Sequence, residues 1–150
     1  MAQSLARNLI HLIFSTKNRA PLLQATIRPE RHGYMAGIFT NWESPAIILG
    51  SVADHVHALF GFSKNHALVK AVEEVKRGSS KWMKAKGKEF APFAWQNGYG
   101  AFSVSSSMVN TVSRYIANQE EHHRQVVFQD EFRKSCRRHD VDFDERFVWG

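Results

Sequence analysis

The chain has 150 residues, of which 43% are hydrophobic, and one cysteine, Cys136. This length suits one domain over residues 1–150 with its own core, and a lone cysteine excludes an internal disulfide framework. The net charge of +6, from 20 lysines and arginines against 14 acidic residues, favours polyanionic partners. No run of about 18–20 apolar residues occurs, and the N-terminus lacks the apolar segment of a signal peptide, so we expect a cytoplasmic protein without a membrane span.

The first half of the chain predicts a strand, a helix and a hairpin. Branched apolar residues over 9–14 indicate a buried strand. Apolar residues recur every three or four positions across 29–42, which indicates an amphipathic helix. A second strand is expected at 46–49. A turn at Ala53–Asp54 then leads into a third strand, His55–Phe62, which we expect to pair with the second as a hairpin.

The second half predicts another helix, a fourth strand and two C-terminal helices. Residues 68–83 carry an apolar stripe at helical spacing. The aromatic-rich stretch 93–105 is extended in character, and its glycines suggest a bulge or sharp twist. Ser107 suits the N-cap of a helix that runs through Gln119, and 128–139 forms a last helix. The order β-α-β-β-α-β-α-α predicts an α+β fold of the ferredoxin-like, split β-α-β type: a mainly antiparallel four-stranded sheet, helices on one face, and an extra C-terminal helix.

His55 and His57 are two positions apart on the predicted third strand. Side chains alternate across a strand, so both imidazoles leave the same face roughly 6–7 Å apart, and two nitrogens can bind one metal ion. Half-buried histidines held by backbone groups or carboxylates are the alternative. Asp54, just before the pair, can orient a ligand histidine or simply make the turn.

Tyr115 and Gln119 are four positions apart on a predicted helix and so share one face. Alone, this spacing is more typical of a tyrosine at the core edge and a solvated glutamine. Facing the two histidines, the helix would complete a pocket with three neutral ligands, His55, His57 and Gln119, and a nucleophile, Tyr115. Such ligands suit Mn²⁺ or Mg²⁺ and leave the charge of the ion available to a phosphate. Attack on DNA would leave a 5′-phosphotyrosine and a free 3′-hydroxyl, so another 3′-hydroxyl can rejoin the strand without ATP.

Asp54-His-Val-His57 followed by Tyr115-Ile-Ala-Asn-Gln119 resembles the single-tyrosine HUH transposases of small bacterial insertion sequences, the TnpA type with the REP-associated tyrosine transposases. Further stretches carry the same likeness: 12–17, 95–103, 122–123 and 147–149. The resemblance implies an endonuclease and strand transferase that uses a divalent metal and no small-molecule cofactor. It also implies single-stranded DNA substrates with hairpins near the element ends. Family members are often homodimers in which the tyrosine helix of one chain completes the metal site of the other, although REP-associated relatives can be monomers.

Other side chains leave their roles open. The second helix carries candidates for DNA backbone contacts, which fit a solvated face equally well: Lys76, Arg77, Lys81 and Lys84. Three aromatic residues are expected in the core or a subunit interface more than stacked on bases: Trp95, Tyr99 and Phe102. Three histidines are expected to be structural: His11, His32 and His66. His122 and His123 can contact phosphate or cap a helix.

The main alternative is a non-catalytic protein that binds single-stranded nucleic acid on the same ferredoxin-like fold. It explains the charge and the aromatic residues but leaves both residue pairs without a role. A two-histidine phosphoesterase would need a second His-x-Ser/Thr motif, which the sequence lacks. A cupin-like metal enzyme would need more strands and fewer helices than the pattern predicts.

Overall fold

The computed structural model describes residues 2–150. It contains four strands: β1 (Asn8–Ser15), β2 (Ala46–Ser51), β3 (His55–Phe62) and β4 (Gly100–Val104). It contains five α-helices: α1 (Arg28–Asn41), α2 (Leu68–Lys84), α3 (Val109–Ala117), α4 (Gln119–His123) and α5 (Phe128–Arg138). Across residues 2–150, no helix is both long and apolar enough to cross a membrane.

The four strands form one sheet in the order β2-β3-β1-β4, and every neighbouring pair is antiparallel. β1 pairs with β3 from Asn8↔Phe62 to Ser15↔His55, which fixes which residues of the two strands share a face. The predicted hairpin of β2 and β3 is present. This arrangement confirms the α+β, ferredoxin-like fold.

The two faces of the sheet carry different helices because side chains alternate along the strands. Leu12 and Phe14 of β1 pack with residues of α1 and α2 in the larger core, so these two helices share one face as predicted. Ile13, between them, packs with Phe128 and Phe132 of α5 in a second apolar cluster. The C-terminal part of the chain therefore covers the opposite face, the one to which residues 11, 13, 55 and 57 point.

Three local details differ from the sequence predictions. Ser107 is not an N-cap, because residues 106–108 form a short 3-10 turn and the Ser107 hydroxyl bonds Ser105 Oγ at 2.6 Å. The helix carrying Tyr115 does not continue through Gln119, because it ends at Ala117 and α4 starts at Gln119. The fourth strand is only Gly100–Val104. The backbone before it bonds elsewhere: the N–H groups of Asn97 and Gly98 donate to the Gly150 carbonyl.

Candidate active site

His55 and His57 lie side by side on the face of β3 that α3, α4 and α5 cover, and both are fully buried. Val56, between them, points the other way into the larger core. The imidazole ring centroids are 5.2 Å apart. The alternation of the strand thus places both rings on one side, as the sequence predicts.

Each of these rings has a partner at Nδ1, which leaves Nε2 to face the centre of the site. His55 Nδ1 lies 2.7 Å from Asp54 Oδ1, and His57 Nδ1 lies 2.8 Å from His11 Nε2. Burial, and then the neighbouring His57, lowers the pKa of His11 to about 3, so His11 is neutral and one hydrogen bond joins the two rings. A ligand histidine whose other nitrogen is held in this way has its ring orientation and tautomer fixed.

Tyr115 and Gln119 reach the same cluster from α3 and α4. The Tyr115 ring centroid lies 5.8 Å from that of His57. The Gln119 side chain is buried, with Oε1 3.3 Å from His55 Nε2 and Nε2 3.4 Å from the Tyr115 carbonyl oxygen. The structure therefore brings all four predicted residues together, with Asp54 behind His55, even though Asn118 interrupts the helix between Tyr115 and Gln119.

The centre of the cluster is occupied by a carboxylate that is not among the predicted site residues, Glu131 of α5. Its side chain is only 2% exposed. Oε1 lies 2.9 Å from His57 Nε2, 3.1 Å from His123 Nε2 and 3.4 Å from His55 Nε2. Oε2 accepts a hydrogen bond from the Tyr115 hydroxyl and lies 3.1 Å from His122 Nε2. One carboxylate thus joins the histidines to the tyrosine.

The electrostatics of the cluster follow from this carboxylate. Burial alone would raise the pKa of Glu131, but hydrogen bonds with His123, His55 and His57 outweigh it and hold that pKa far below the ordinary range. Burial would likewise lower the pKa of His55, yet Asp54 and Glu131 raise it above the ordinary value. Burial and then the negative charge of Glu131 raise the pKa of the Tyr115 phenol. The phenol is therefore neutral while it donates to Glu131.

The donor set fits a divalent metal ion. One ligand atom from each of four residues, His55, His57, His123 and Glu131, lies within 4.8 Å of all the others. Atoms bound to one ion at about 2.0–2.2 Å cannot be more than roughly 4.4 Å apart, and adjacent ones are closer. The distances of 2.9–3.4 Å from Oε1 to three imidazole nitrogens are within that limit. A cation at this point would replace the hydrogen bonds between Oε1 and these nitrogens.

The family model of the IS200-like transposases matches residues 4–119. The chain belongs to this family. Two solved structures are similar: a candidate transposase from Deinococcus radiodurans R1 and a REP-associated tyrosine transposase bound to a REP hairpin. The first is 24% identical with a TM-score of 0.62, over 79% of this chain and 98% of that one. The second is 12% identical with a TM-score of 0.61, over 84% of this chain and 74% of that one. No curated protein matches the sequence.

At these identities the two structures support the fold, and the family match identifies the chain as a DNA transposase. The matched segment contains β1 to α3 and ends at Gln119, so it includes the two sheet histidines and Tyr115. It excludes α5 and therefore Glu131.

The basic residues of α2 in this transposase are not equivalent. Lys76 is directed inward, where its ammonium donates to the carbonyl oxygens of Gln96 at 2.8 Å and Gly98 at 2.7 Å. Burial lowers its pKa to about 8. Arg77 is exposed but paired with Glu74. Lys81 and Lys84 are exposed, so they are the members of the predicted set best placed to meet a phosphate.

The aromatic residues near β4 serve mainly as core. Trp95 packs against Phe14 and Phe93 and donates from its indole nitrogen to Ser79 Oγ at 3.0 Å. Phe102 is buried in the second apolar cluster, and Tyr99 packs at the edge of the larger one. The three aromatic residues therefore pack in or against the core, which is the role that the sequence favours over base stacking.

The sequence predictions do not include Glu131, do not link His11 to the site, and leave the role of His123 open. His11 is expected from the sequence to be structural and without a companion, yet it contacts His57. The sequence does contain a signal that could have pointed to Glu131. This residue follows Phe128 by three positions and so falls on the apolar stripe of α5, where an unpaired charge is costly. A buried charge on such a stripe indicates a polar partner, but the sequence does not say which one.

Proposed function

We propose that this transposase cuts and rejoins single-stranded DNA through Tyr115, with His55, His57 and Gln119 as ligands of a divalent metal ion and Asp54 orienting His55. The observation that supports this most is the position of the Tyr115 hydroxyl. It is hydrogen-bonded to the carboxylate that also contacts both buried imidazoles, so a phosphate at this point would meet the nucleophile and the metal ligands together.

The cutting step can be written with the residues of this chain. The Tyr115 oxygen attacks a phosphodiester, the new O–P bond forms as the P–O3′ bond breaks, and the DNA keeps a free 3′-hydroxyl and a 5′-phosphotyrosine link. The hydrogen bond to Oε2 of Glu131 orients the hydroxyl, and as the O–P bond forms the phenol loses a proton while the leaving 3′-oxygen gains one, so the net transfer is from phenol to 3′-oxygen. Rejoining reverses these steps: an incoming 3′-hydroxyl attacks the phosphotyrosine, the Tyr115 O–P bond breaks, and the net proton transfer is from that hydroxyl to the Tyr115 oxygen.

The metal ion, Mn²⁺ or Mg²⁺ in this proposal, would act as a Lewis acid that withdraws charge from the phosphate oxygens. His55 and His57 present Nε2, and Gln119 presents Oε1, toward the same point. His11 and Asp54 hold the far sides of the two rings. The site is buried beneath α4 and α5, which keeps bulk water from competing with the strand for the phosphotyrosine.

We further propose that the substrate strand carries hairpins near the element ends, as the REP hairpin bound to the REP-associated relative suggests. Lys81 and Lys84 are the proposed backbone contacts on α2, because Lys76 is bound to carbonyl groups and Arg77 to Glu74. We treat residues 1–150 as one transposase domain. A homodimer with composite sites stays a prediction, although Tyr115 and the histidines already meet within one chain.

The test is covalent capture. The protein is mixed with single-stranded oligonucleotides from the DNA that flanks the gene, folded as hairpins, in the presence of Mn²⁺, and the products are separated on denaturing gels. We expect a protein–DNA adduct from the wild type and from Tyr34→Phe, which changes an exposed tyrosine on α1, and none from Tyr115→Phe. Adduct formation by Tyr115→Phe would exclude Tyr115 as the nucleophile.

A non-catalytic binder of single-stranded nucleic acid is the competing function. It predicts tight hairpin binding with no adduct from any variant, across many candidate element ends. It is less well supported, because the buried histidines, Tyr115 and Glu131 form a connected polar cluster that costs free energy to bury and that simple binding does not need.

A further inference from the structure

Glu131 and His123 lie beyond the segment that matches the transposase family, which ends at Gln119. Both nevertheless enter the cluster around His55 and His57. Glu131 is brought there by α5, whose Phe128 and Phe132 pack against the sheet and fix the helix on the second face. His123 is the last residue of α4, and its ring centroid lies 4.3 Å from that of His55.

The three distances from Glu131 to the histidines of this set are close to those between ligands of a single ion. Two ligands of a four-coordinate ion with bonds of about 2.0–2.1 Å lie roughly 3.3 Å apart. Oε1 of Glu131 is 2.9, 3.1 and 3.4 Å from Nε2 of His57, His123 and His55. The three nitrogens and one oxygen come from a strand and two helices, so they are positioned before any DNA is present.

We infer that Glu131 and His123 are ligands of the metal ion, so that with His55 and His57 they form a site that binds the ion in the absence of DNA. The inference rests on the proposed function for what the ion does, and it adds which residues bind the ion. Gln119 then contributes less to binding the ion in the DNA-free protein. Among these four residues, its amide oxygen contacts only Nε2 of His55.

The chemistry of the donors selects the class of ion. Three imidazole nitrogens and one carboxylate oxygen suit first-row transition ions such as Mn²⁺, Co²⁺ and Zn²⁺, whereas Mg²⁺ prefers oxygen ligands and keeps several waters. Because Glu131 is anionic, the net charge of the ion with its ligands is lower than it would be with neutral ligands only. Because the second oxygen of Glu131 accepts from Tyr115, the same carboxylate links the ion to the nucleophile.

Titration of the full-length, metal-free protein with Co²⁺ tests this inference without DNA. Calorimetry gives the affinity, and the visible absorption of bound Co²⁺ reports the number and type of its ligands. We expect Glu131→Gln to weaken Co²⁺ binding by well over tenfold and to change the spectrum, since even the loss of a group that only orients a ligand costs about 10–100-fold. Asp130→Asn removes the same charge from the neighbouring exposed position of α5 and should bind as the wild type does.

Unchanged affinity and spectrum in Glu131→Gln would overturn the inference. If that variant does not fold, His123→Gln gives a second comparison, with the same expected loss. Nitrogen NMR of the wild-type histidines gives a third: Zn²⁺ should shift the Nε2 signals of His55, His57 and His123, and shifts of His55 and His57 alone would exclude His123. The proposed function fails separately, if the wild type forms no adduct with DNA or if Tyr115→Phe still does.

Discussion

Gly50 of β2 and Ile116 of α3 are in direct backbone contact. A Cβ added at Gly50 would clash with the Ile116 carbonyl oxygen and lie 2.7 Å from its Cγ2. Ile116 follows Tyr115, so the missing side chain at residue 50 sets how closely Tyr115 approaches the sheet.

Gly50→Ala should therefore displace α3 and reduce both stability and adduct formation. We expect a loss of about 1–3 kcal/mol in the free energy of unfolding, as for other overpacked sites, together with a lower rate of covalent capture. Gly61→Ala is the matched control, because Gly61 is on β3 and an added Cβ would meet nothing within 4 Å. Equal effects of the two substitutions on adduct formation would show that the contact does not position Tyr115.

Asp54→Asn should weaken metal binding without removing a ligand. Asp54 Oδ1 lies 2.7 Å from His55 Nδ1 and holds the ring with Nε2 toward the site. We expect the affinity for Mn²⁺ to fall about 10–100-fold, as for other groups that orient a ligand histidine. Calorimetric titration measures it, with the exposed Asp142→Asn as control. An unchanged affinity would leave Asp54 as a turn residue only.

The lysines of α2 should separate into two classes. The double variant Lys81→Ala, Lys84→Ala should weaken hairpin binding and reduce the slope of log K against log salt by about 0.7–0.9 for each phosphate that the two side chains no longer neutralise. Lys64→Ala, before the start of α2, serves as control. An unaltered slope in the double variant would place the DNA elsewhere on the surface.

Lys76→Met should instead affect the fold. Its ammonium donates to the carbonyl oxygens of Gln96 and Gly98, and removing it leaves these acceptors without their charged donor. We expect a loss of about 1–3 kcal/mol in the free energy of unfolding. The salt slope of hairpin binding should stay as in the wild type, and a reduced slope would show that Lys76 contacts DNA after all.

Acid should destabilise the protein partly through His32. Burial, and then Arg31 and Arg28, lowers the pKa of His32 from 6.5 to about 4. Below pH 6.5 the unfolded chain takes up a proton at this residue that the folded chain does not bind until about pH 4, so stability falls over that interval. After allowance for partial exposure, His32→Asn should remove about 1 kcal/mol of the loss in unfolding free energy between pH 7.5 and pH 5. Chemical denaturation at both pH values measures it, and an unchanged difference would contradict the assignment.

The sequence predicted those parts of the site that depend on local periodicity. The alternation of β3 places His55 and His57 on one face and Val56 on the other, because strand geometry has a period of two. The succession of elements predicted the ferredoxin-like fold with its antiparallel four-stranded sheet. The break at Asn118 was not predictable, since Tyr115 and Gln119 keep a helical spacing on either side of it.

The contacts made by Glu131, His11 and Lys76 depend on long-range packing, so local sequence patterns could not predict them. Glu131 lies 74 positions from His57 in the chain, and only the docking of α5 on the sheet brings them together. His11 meets His57 because β1 and β3 pair in a particular register, with Ile13 opposite His57. Lys76 could be assigned to the interior only once the carbonyl groups of residues 96–98 were seen beside it.

The meeting of Tyr115 with the sheet histidines inside a single polypeptide has a kinetic consequence. Under the proposed function, a first cut made by the groups of one chain needs no collision between two protein molecules, so its rate at saturating DNA should stay proportional to protein concentration even at extreme dilution. A cell that holds only a few copies could then still begin to mobilise the element. Composite sites in a homodimer predict instead a rate that falls more steeply than protein concentration.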